Sequence, residues 1–273
     1  MKLKIIHQTT YNYSSKVFVE PQHFYFYPLP RNYITLDSFE LKIDPASSGL
    51  AQRVDAEDNL YHQCWFNEMQ DHIRITAEIE VESEEINPYN FLLEEQTKTP
   101  YTKALDIFLE KETLPDQVNK WLSDLQDASD DNLITFITYL NKEINLNWDH
   151  ESRYESDLMT PTKCFETKRG SCRDLSWMMI NMLRSKDIPA RFVSGYAFND
   201  ELGEGHELHA WIEAWVPGAG WVPLDPSAGL LATNSYIPVV SSYHPANTFP
   251  VQGSFRGNAE ASLDFKVEIQ EIK

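Results

Sequence analysis

Apolar and polar residues alternate along much of the first third of the chain, a pattern typical of strands with one buried face. Four segments rich in aromatic and β-branched residues carry this pattern: 24–30, 34–43, 59–66 and 72–83. Turn-forming sequences at 44–49 and 55–59 separate the strands. We therefore predict an antiparallel β-rich unit over residues 1–88.

The spacing of apolar residues becomes helical after a polar, proline-punctuated connection at 87–102. Segments 103–112 and 114–126 have this spacing, and a longer segment follows at 129–148, with Ser129 or Asp130 available as its N-cap. Its apolar stripe consists of Leu133, Ile134, Ile137, Leu140 and Ile144. A further helix after Cys172 has a stripe of Leu175, Met178, Met179, Met182 and Leu183.

Strand patterns return at 191–198, 208–216 and 221–224, and the turn 217–220 joins the last two as a hairpin. Helices followed by antiparallel strands indicate an α+β core. We predict three parts: an N-terminal all-β domain at 1–88, a connecting helical segment at 89–118 and an α+β core at 119–273.

Composition limits the classes of partner. The 273 residues carry a net charge of −19, which argues against nucleic acid and anionic membranes as partners, because both attract basic surfaces. Three cysteines, few and odd in number, fit a reducing compartment. With no signal-peptide pattern and no long apolar run, we expect a cytoplasmic protein that needs no cofactor or metal.

Cys172 stands at a predicted helix start. Ser171 fits an N-cap and Asp174 follows three residues later, which is the capping-box pattern. Cys172 is then the first helical residue, and the positive end of a helix favours thiolate over thiol. Gly170 leaves room where the backbone turns and a substrate approaches. The cysteine is either a reactive nucleophile or only a small residue at a helix start, and a nearby base decides between them.

His209 is the best candidate for that base. It shares a strand face with Trp211, Glu213 and Trp215, whereas the other face is apolar and must be core. Folding the hairpin pairs position 209 roughly with 228 and brings Asp225 near position 212, within reach of His209. Other histidines lie in the β unit or in loop-like segments and are weaker candidates: His7, His23, His62, His72, His150 and His244.

Three segments resemble the bacterial transglutaminase-like cysteine-enzyme family, whose core is similar to papain-type proteases: "RGSCRDLSWMMINMLRSKDIPARFVSGY", "HAWIEAWVPGAGWVPLDPS" and "YHPANTFPVQGSFRGNAEASLDFKVEI". "DAEDNLYHQCWF" resembles the β domain that precedes this core in bacterial members. The resemblance implies Cys172 as nucleophile, His209 as base and Asp225 as the residue that orients His209. Arg173 departs from the family, in which many members carry an uncharged residue there.

The implied reaction is acyl transfer through a thioester on a peptide or protein substrate. Water as acceptor gives a peptidase or amidase, and a lysine amine gives a transglutaminase. The Cys172 N–H is the natural first donor to the oxyanion, with Trp148 or Tyr154 as candidates for the second. Trp211 and Trp215 either wall a substrate groove or pack under a loop. A non-catalytic binding module of the same fold is the third alternative, and the sequence leaves the oligomeric state open.

The remaining motifs indicate structure rather than chemistry. We interpret Asp174 as a helix cap and Trp221 as a core residue. Cys64 and Cys164 are interpreted as structural thiols. In "HELH" (206–209) the two histidines are three residues apart and lead into a strand, so the zinc pattern of two histidines four apart on a helix is not met.

Overall fold

The computed structural model describes residues 1–93, 103–130, 132–153, 157–199 and 208–272. Its N-terminal part consists of antiparallel strands, as the alternating pattern predicts. These strands are β1 (Lys2–Val19), β2 (Gln22–Phe24), β3 (Ile34–Asp44), β4 (Gly49–Val54), β5 (Leu60–Trp65) and β6 (Gln70–Ser83). The predicted strand at 24–30 is mostly irregular after Phe24, and the longest strand, β1, precedes all four predicted segments.

The second part begins with helices and ends with strands. A 3-10 helix (Lys103–Leu109) precedes α1 (Asp116–Asp127), α2 (Leu133–Asn147), β7 (Asp149–His150), α3 (Pro161–Thr167), β8 (Arg169–Gly170) and α4 (Cys172–Ser185). The strands β9 (Ala190–Ala197), β10 (Leu208–Val216), β11 (Gly220–Asp225), β12 (Leu230–Leu231) and β13 (Tyr236–Ser242) follow. The last elements are a 3-10 helix (Pro245–Thr248), β14 (Val251–Gln252), β15 (Phe255–Arg256) and β16 (Ala261–Ile272).

The predicted fold class is confirmed: an all-β N-terminal region precedes helices and an antiparallel sheet. The core sheet has the order β12-β11-β10-β9-β13, and the four α-helices contribute to the apolar cluster on one of its faces. Helix α4 is central to this cluster, since its residues from Asp174 to Arg184 are all buried. No helix among the described residues is both long and apolar enough to cross a bilayer.

The end of the chain pairs with its beginning. Strand β16 runs antiparallel to β1 from Lys2↔Ile272 to Tyr13↔Ala261, while β15 also pairs with β1 and β14 pairs with β2. The sequence assigns residues 119–273 to one unit, but residues 251–272 complete the N-terminal sheets. The reason is that β1 has a second edge to be paired, which no local pattern reveals.

A shared apolar cluster joins the two parts. Leu3 and Ile5 of β1 pack in one cluster with Tyr196 of β9 and Ile237 of β13. Asn59, in the "DAEDN" loop, donates to the Ser241 carbonyl at 2.9 Å and accepts from the Ser241 N–H at 2.8 Å. The N-terminal β structure therefore packs directly against the sheet that carries His209.

Helix α2 begins later than predicted. Its N-cap is Asn132, whose side chain accepts from the Thr135 N–H at 3.0 Å. Ser129 and Asp130, the expected caps, belong to the preceding turn, where Ser129 N–H bonds to the Gln126 carbonyl. The predicted stripe is otherwise close to the observed one, with Ile137, Leu140 and Ile144 buried.

Candidate active site

Cys172 is the first residue of α4, as the capping pattern predicts. The fully buried Asp174 carboxylate accepts from the Ser171 N–H at 2.9 Å and from its hydroxyl at 2.7 Å. The same carboxylate accepts from the Met159 N–H and pairs with Arg153, each at 2.8 Å. Asp174 is therefore a buried anchor that fixes the helix start and the position of Cys172.

Gly170 is required by packing. A Cβ at this position would lie 2.8 Å from the Cβ of Asp174 and 3.2 Å from the sulfur of Cys164. Gly170 is itself buried, in strand β8. The sequence predicts a glycine that leaves room for a turn and an approaching substrate, whereas in the structure the Asp174 side chain and the Cys164 sulfur occupy that space.

The hairpin register differs by one residue from the prediction, and this difference changes the face of the sheet on which Asp225 lies. Ile212 pairs with Leu224, so Asp225 is not opposite Ile212. Residues directly opposite in an antiparallel pair share a face, and a shift of one residue exchanges the faces. The predicted register would have turned Asp225 toward the apolar core, whereas the observed one turns it to the face of His209.

Asp225 and His209 form a close pair. One carboxylate oxygen of the buried Asp225 lies 2.7 Å from Nε2 of His209 and accepts from the Tyr236 hydroxyl at 2.8 Å. Its other oxygen accepts from the Ser227 N–H at 2.9 Å, the Ser227 hydroxyl at 2.6 Å and the Ala228 N–H at 3.2 Å. No sequence pattern indicates Tyr236, which comes from β13, a strand separated from β11 by β10 and β9.

The nucleophile candidate is surrounded by hydrogen-bond donors. Burial alone would raise the pKa of the Cys172 thiol, but hydrogen bonds from His150, His209 and the Ala210 N–H outweigh it and lower the pKa to about 6. Since Nε2 of His209 is bound to Asp225, its Nδ1 is the atom left for the thiol. Burial would lower the pKa of His209, but Asp225 and Cys172 raise it to about 10. Asp225 itself has a pKa lowered to about 2, because His209 and its other donors outweigh burial.

These shifts favour a thiolate and an imidazolium at neutral pH. Cys64 and Cys164 behave in the opposite way: burial raises the pKa of Cys64 to about 11 and that of Cys164 to about 12. The structure therefore separates Cys172 from the other two thiols by its surroundings. Cys164 donates instead to the Arg169 carbonyl, with 3.7 Å between sulfur and oxygen.

His150, which the sequence places in a loop-like segment as a weaker candidate for the base, lies beside Cys172 in the structure. It lies in the short strand β7, which runs parallel to β8 and places His150 opposite Gly170, two residues before Cys172. Its hydrogen bond to Cys172 raises the pKa of the imidazole. The signal available in the sequence was weak, because a two-residue strand has no periodicity.

The tryptophans near the site have structural partners. Trp148 donates from Nε1 to the Cys164 carbonyl at 3.0 Å, so this N–H is already engaged. Trp211, only 1% exposed, packs edge-on against Tyr236 and does not wall an open groove. Trp215 and Trp221, both half-buried, contact each other edge-on. Tyr154, the other donor candidate, lies outside the described residues.

The His209 face of β10 is covered rather than open. Glu213, 2% exposed, binds Arg31 of the N-terminal part and Arg191 of β9, each at 2.6 Å. Arg173 is half-buried in the first turn of α4. Among the described residues no cluster of three or more His, Cys, Asp or Glu side chains is arranged to hold a metal, and His206 and Glu207 of "HELH" lie outside those residues.

Two family models match this architecture. Residues 118–226 match the transglutaminase-like superfamily, and residues 3–82 match the bacterial transglutaminase-like N-terminal region. The chain carries a transglutaminase-like core. Proteins of this superfamily are generally cysteine-dependent enzymes, and the core holds both Cys172 and the hairpin that carries His209 and Asp225.

A solved structure supports the fold over the whole chain. The crystal structure of "a Putative Cysteine Protease from Cytophaga hutchinsonii" matches this chain with a TM-score of 0.74 and 19% identity, covering 100% of this chain and 91% of that one. At this identity the likeness shows the fold. The fold of the core and that of the N-terminal β region thus occur together in a known structure.

Curated relatives match over shorter segments. An uncharacterized protein of Mycobacterium leprae is 36% identical over 110 residues, which is 38% of this chain and 38% of that protein. A protein-glutamine gamma-glutamyltransferase of Pseudomonas aeruginosa is 39% identical over 70 residues, which is 23% of this chain and 10% of that protein. The chain therefore spans well under two thirds of the length of either relative.

Proposed function

We propose that this protein is a cysteine-dependent acyl-transfer enzyme that acts on peptide or amide bonds, most simply as a peptidase or amidase. The observation that carries the proposal is the hydrogen-bonded series Cys172–His209–Asp225, in which the thiol pKa is lowered to about 6 and the imidazole pKa is raised to about 10. This is the arrangement that a thiolate nucleophile and a general acid require.

The reaction follows from these protonation states. The Cys172 thiolate attacks the amide carbonyl carbon, and the carbonyl electron pair moves to oxygen. When the C–N bond breaks, imidazolium at His209 gives its proton to the leaving nitrogen, and an acyl thioester remains on Cys172. Asp225 holds the imidazole in position and stabilises its charged form, while Tyr236 and Ser227 hold Asp225.

The acceptor that releases the acyl group defines the second candidate function. Water gives hydrolysis, with neutral His209 now accepting a proton from it. A primary amine gives a transglutaminase, and the relative named protein-glutamine gamma-glutamyltransferase supports keeping that reaction as the alternative. The same three residues serve both reactions, so the two differ only in what reaches the thioester.

The deciding experiment offers peptides with a glutamine side chain or a chromogenic C-terminal amide, each with and without excess methylamine. We expect release of the amine product, with Cys172→Ala and His209→Ala lowering the rate by about 10³-fold or more. Cys64→Ala, which removes a buried thiol of β5, is the matched control and should keep the activity.

The products separate the alternatives. Cleavage unaffected by methylamine supports the peptidase or amidase, and incorporation of methylamine that depends on Cys172 supports the transglutaminase. Equal rates for wild type and Cys172→Ala would contradict both and favour a non-catalytic binding module. A peptide or protein substrate and a cytoplasmic location are part of this proposal.

A further inference from the structure

His150 is held beside Cys172 by the backbone. The Asp149 N–H donates to the Lys168 carbonyl at 2.8 Å, and the Glu151 N–H donates to the Gly170 carbonyl at 3.0 Å. These bonds fix β7 against the residues that lead into α4. The imidazole is exposed, although it is hydrogen-bonded to the Cys172 thiol, so a substrate at the sulfur can also reach His150.

The neighbouring Trp148 cannot take a catalytic role with its indole N–H. That N–H is bonded to the Cys164 carbonyl, and the ring face is covered by the ammonium of Lys168, 3.3 Å from the ring centroid. Trp148 itself is buried at 3% exposure. The residue two positions later is the one that presents an N–H to the sulfur.

Resting on the proposed function, we propose that His150 is a catalytic residue: its ring N–H is the side-chain donor to the oxyanion formed when Cys172 attacks a carbonyl. The carbonyl oxygen that becomes negative is bonded to the carbon that the sulfur attacks. A donor that binds the thiolate in the free enzyme is therefore close enough to bind that oxygen in the intermediate.

The step balances without proton transfer by His150. The S–C bond forms, the C=O electron pair moves to oxygen, and the oxyanion accepts hydrogen bonds from the Cys172 N–H and the His150 N–H. When the C–N bond breaks, the C=O bond re-forms and His209 supplies the proton to nitrogen. His150 keeps its proton throughout, and its raised pKa, caused first by the bond to Cys172, favours the form in which both ring nitrogens carry hydrogen.

The two histidines thus have different tasks. Asp225 is bound to His209, which gives His209 the orienting carboxylate of a general base. His150 reaches the sulfur from another element, β7, and its contribution is a donated hydrogen bond. A test must therefore separate oxyanion stabilisation from ionisation of the thiol.

Two probes make that separation. p-Nitrophenyl acetate acylates Cys172 through a tetrahedral oxyanion, whereas iodoacetamide alkylates the thiolate without forming one. The pH profile of alkylation gives the midpoint of each variant, and above that midpoint the thiol is ionised with or without His150. We expect His150→Ala to slow acylation there by about 10²- to 10³-fold while alkylation of Cys172 keeps its wild-type rate.

Conservative replacement gives a second readout. The side-chain amide of His150→Gln keeps an N–H donor and cannot titrate, so it should recover about tenfold or more of the acylation rate lost in His150→Ala. His72→Ala, which removes a half-buried histidine of β6 in the N-terminal part, is the control and should leave both rates unchanged. Because His150 is exposed, neither variant should change the midpoint of thermal unfolding.

Equal losses in acylation and alkylation, or no loss of acylation, would overturn the role of His150. Failure of the proposed function has a different signature: Cys172→Ala would then release p-nitrophenol from the ester as fast as wild type does. The failure of the His150 role can therefore be distinguished from the failure of the proposed function.

Discussion

Cys172 and His209 carry opposite charges over a wide pH range, because the thiol pKa is lowered to about 6 and the imidazole pKa is raised to about 10. The first shift arises although burial opposes it, through donors from two separate strands, β7 and β10. The second arises mainly from Asp225 and the thiol itself. A reactive thiolate is therefore built by hydrogen bonding around the sulfur rather than by solvent exposure.

We predict that kcat/KM has a bell-shaped pH dependence. Below about 6 the thiol of Cys172 is protonated and cannot attack, and above about 10 His209 has lost the proton that the leaving nitrogen needs. Alkylation by iodoacetamide should likewise rise through about pH 6 at Cys172. Cys64 and Cys164 should stay unreactive in the folded protein, since their pKa values are about 11 and 12.

Mass spectrometry of alkylated peptides measures the three thiols separately. The kcat/KM profile is tested with Asp225→Asn. Without the carboxylate the pKa of His209 falls, so the alkaline limb of that profile should move to lower pH. A single midpoint shared by all three cysteines would contradict the thiolate assignment.

The residues that sequence could identify are those with local signals. Ser171 and Asp174 locate Cys172 within one helical turn, and the strand face locates His209. His150 and Tyr236 carry no such signal, because each reaches the site through pairing between distant segments. Tertiary pairing, not residue type, decides which histidine meets the thiol.

At the scale of elements, β10 connects the site with the N-terminal β structure. One of its faces packs into the core through Ala210, Ile212, Ala214 and Val216. On the other face His209 meets Asp225, and the buried Glu213 binds the two guanidinium groups. The alternation of the strand is predictable from sequence. The side chains that cover its second face are not predictable, since Arg31 comes from a distant loop.

We predict that Glu213→Gln destabilises the protein by about 3–5 kcal/mol, because it leaves two guanidinium groups side by side without the buried carboxylate that pairs them. Burial would raise the pKa of Glu213, but Arg191 and Arg31 lower it, so the ionised form is the folded one. Urea denaturation measures the change in the free energy of unfolding.

Glu80→Gln is the matched control, since its pair with Lys4 at 3.2 Å is partly exposed on both sides. Pairs of that kind contribute about 0–1 kcal/mol. If Glu213→Gln cost no more than this control, Glu213 would not be a structural link between the two parts.

At the scale of the whole molecule, the pairing of β16 with β1 brings the last strand onto the first. Sequence predicts the two classes of structure well, because strand alternation and helical stripes are local properties. It does not predict that the last strand returns to the first sheet, because that choice depends on which edge is unpaired. The same limit applies to the contacts that join the two parts.

His7 is one of these contacts. This histidine of β1, 2% exposed, lies 3.0 Å through Nδ1 from the Tyr196 hydroxyl of β9, and the Thr9 hydroxyl lies 3.2 Å from Nε2. Burial lowers its pKa from 6.5 to about 4. In the unfolded chain the imidazole regains its ordinary pKa, so protons bind the unfolded state more readily between these two values.

Neutral His7 therefore contributes its full share of the folding stability above about pH 6.5, and this contribution is lost as the pH falls toward 4. A shift of this size corresponds to about 3 kcal/mol.

We predict that His7→Gln, which keeps a donor and an acceptor but cannot titrate, removes this part of the acid sensitivity. Urea denaturation at a series of pH values measures this effect. Between neutral pH and pH 4, the unfolding free energy of wild type should fall by about 3 kcal/mol more than that of His7→Gln, so the difference between them changes with pH. A constant difference would mean that protonated His7 is accommodated in the folded state, and that the junction between the two parts is not what acid weakens first.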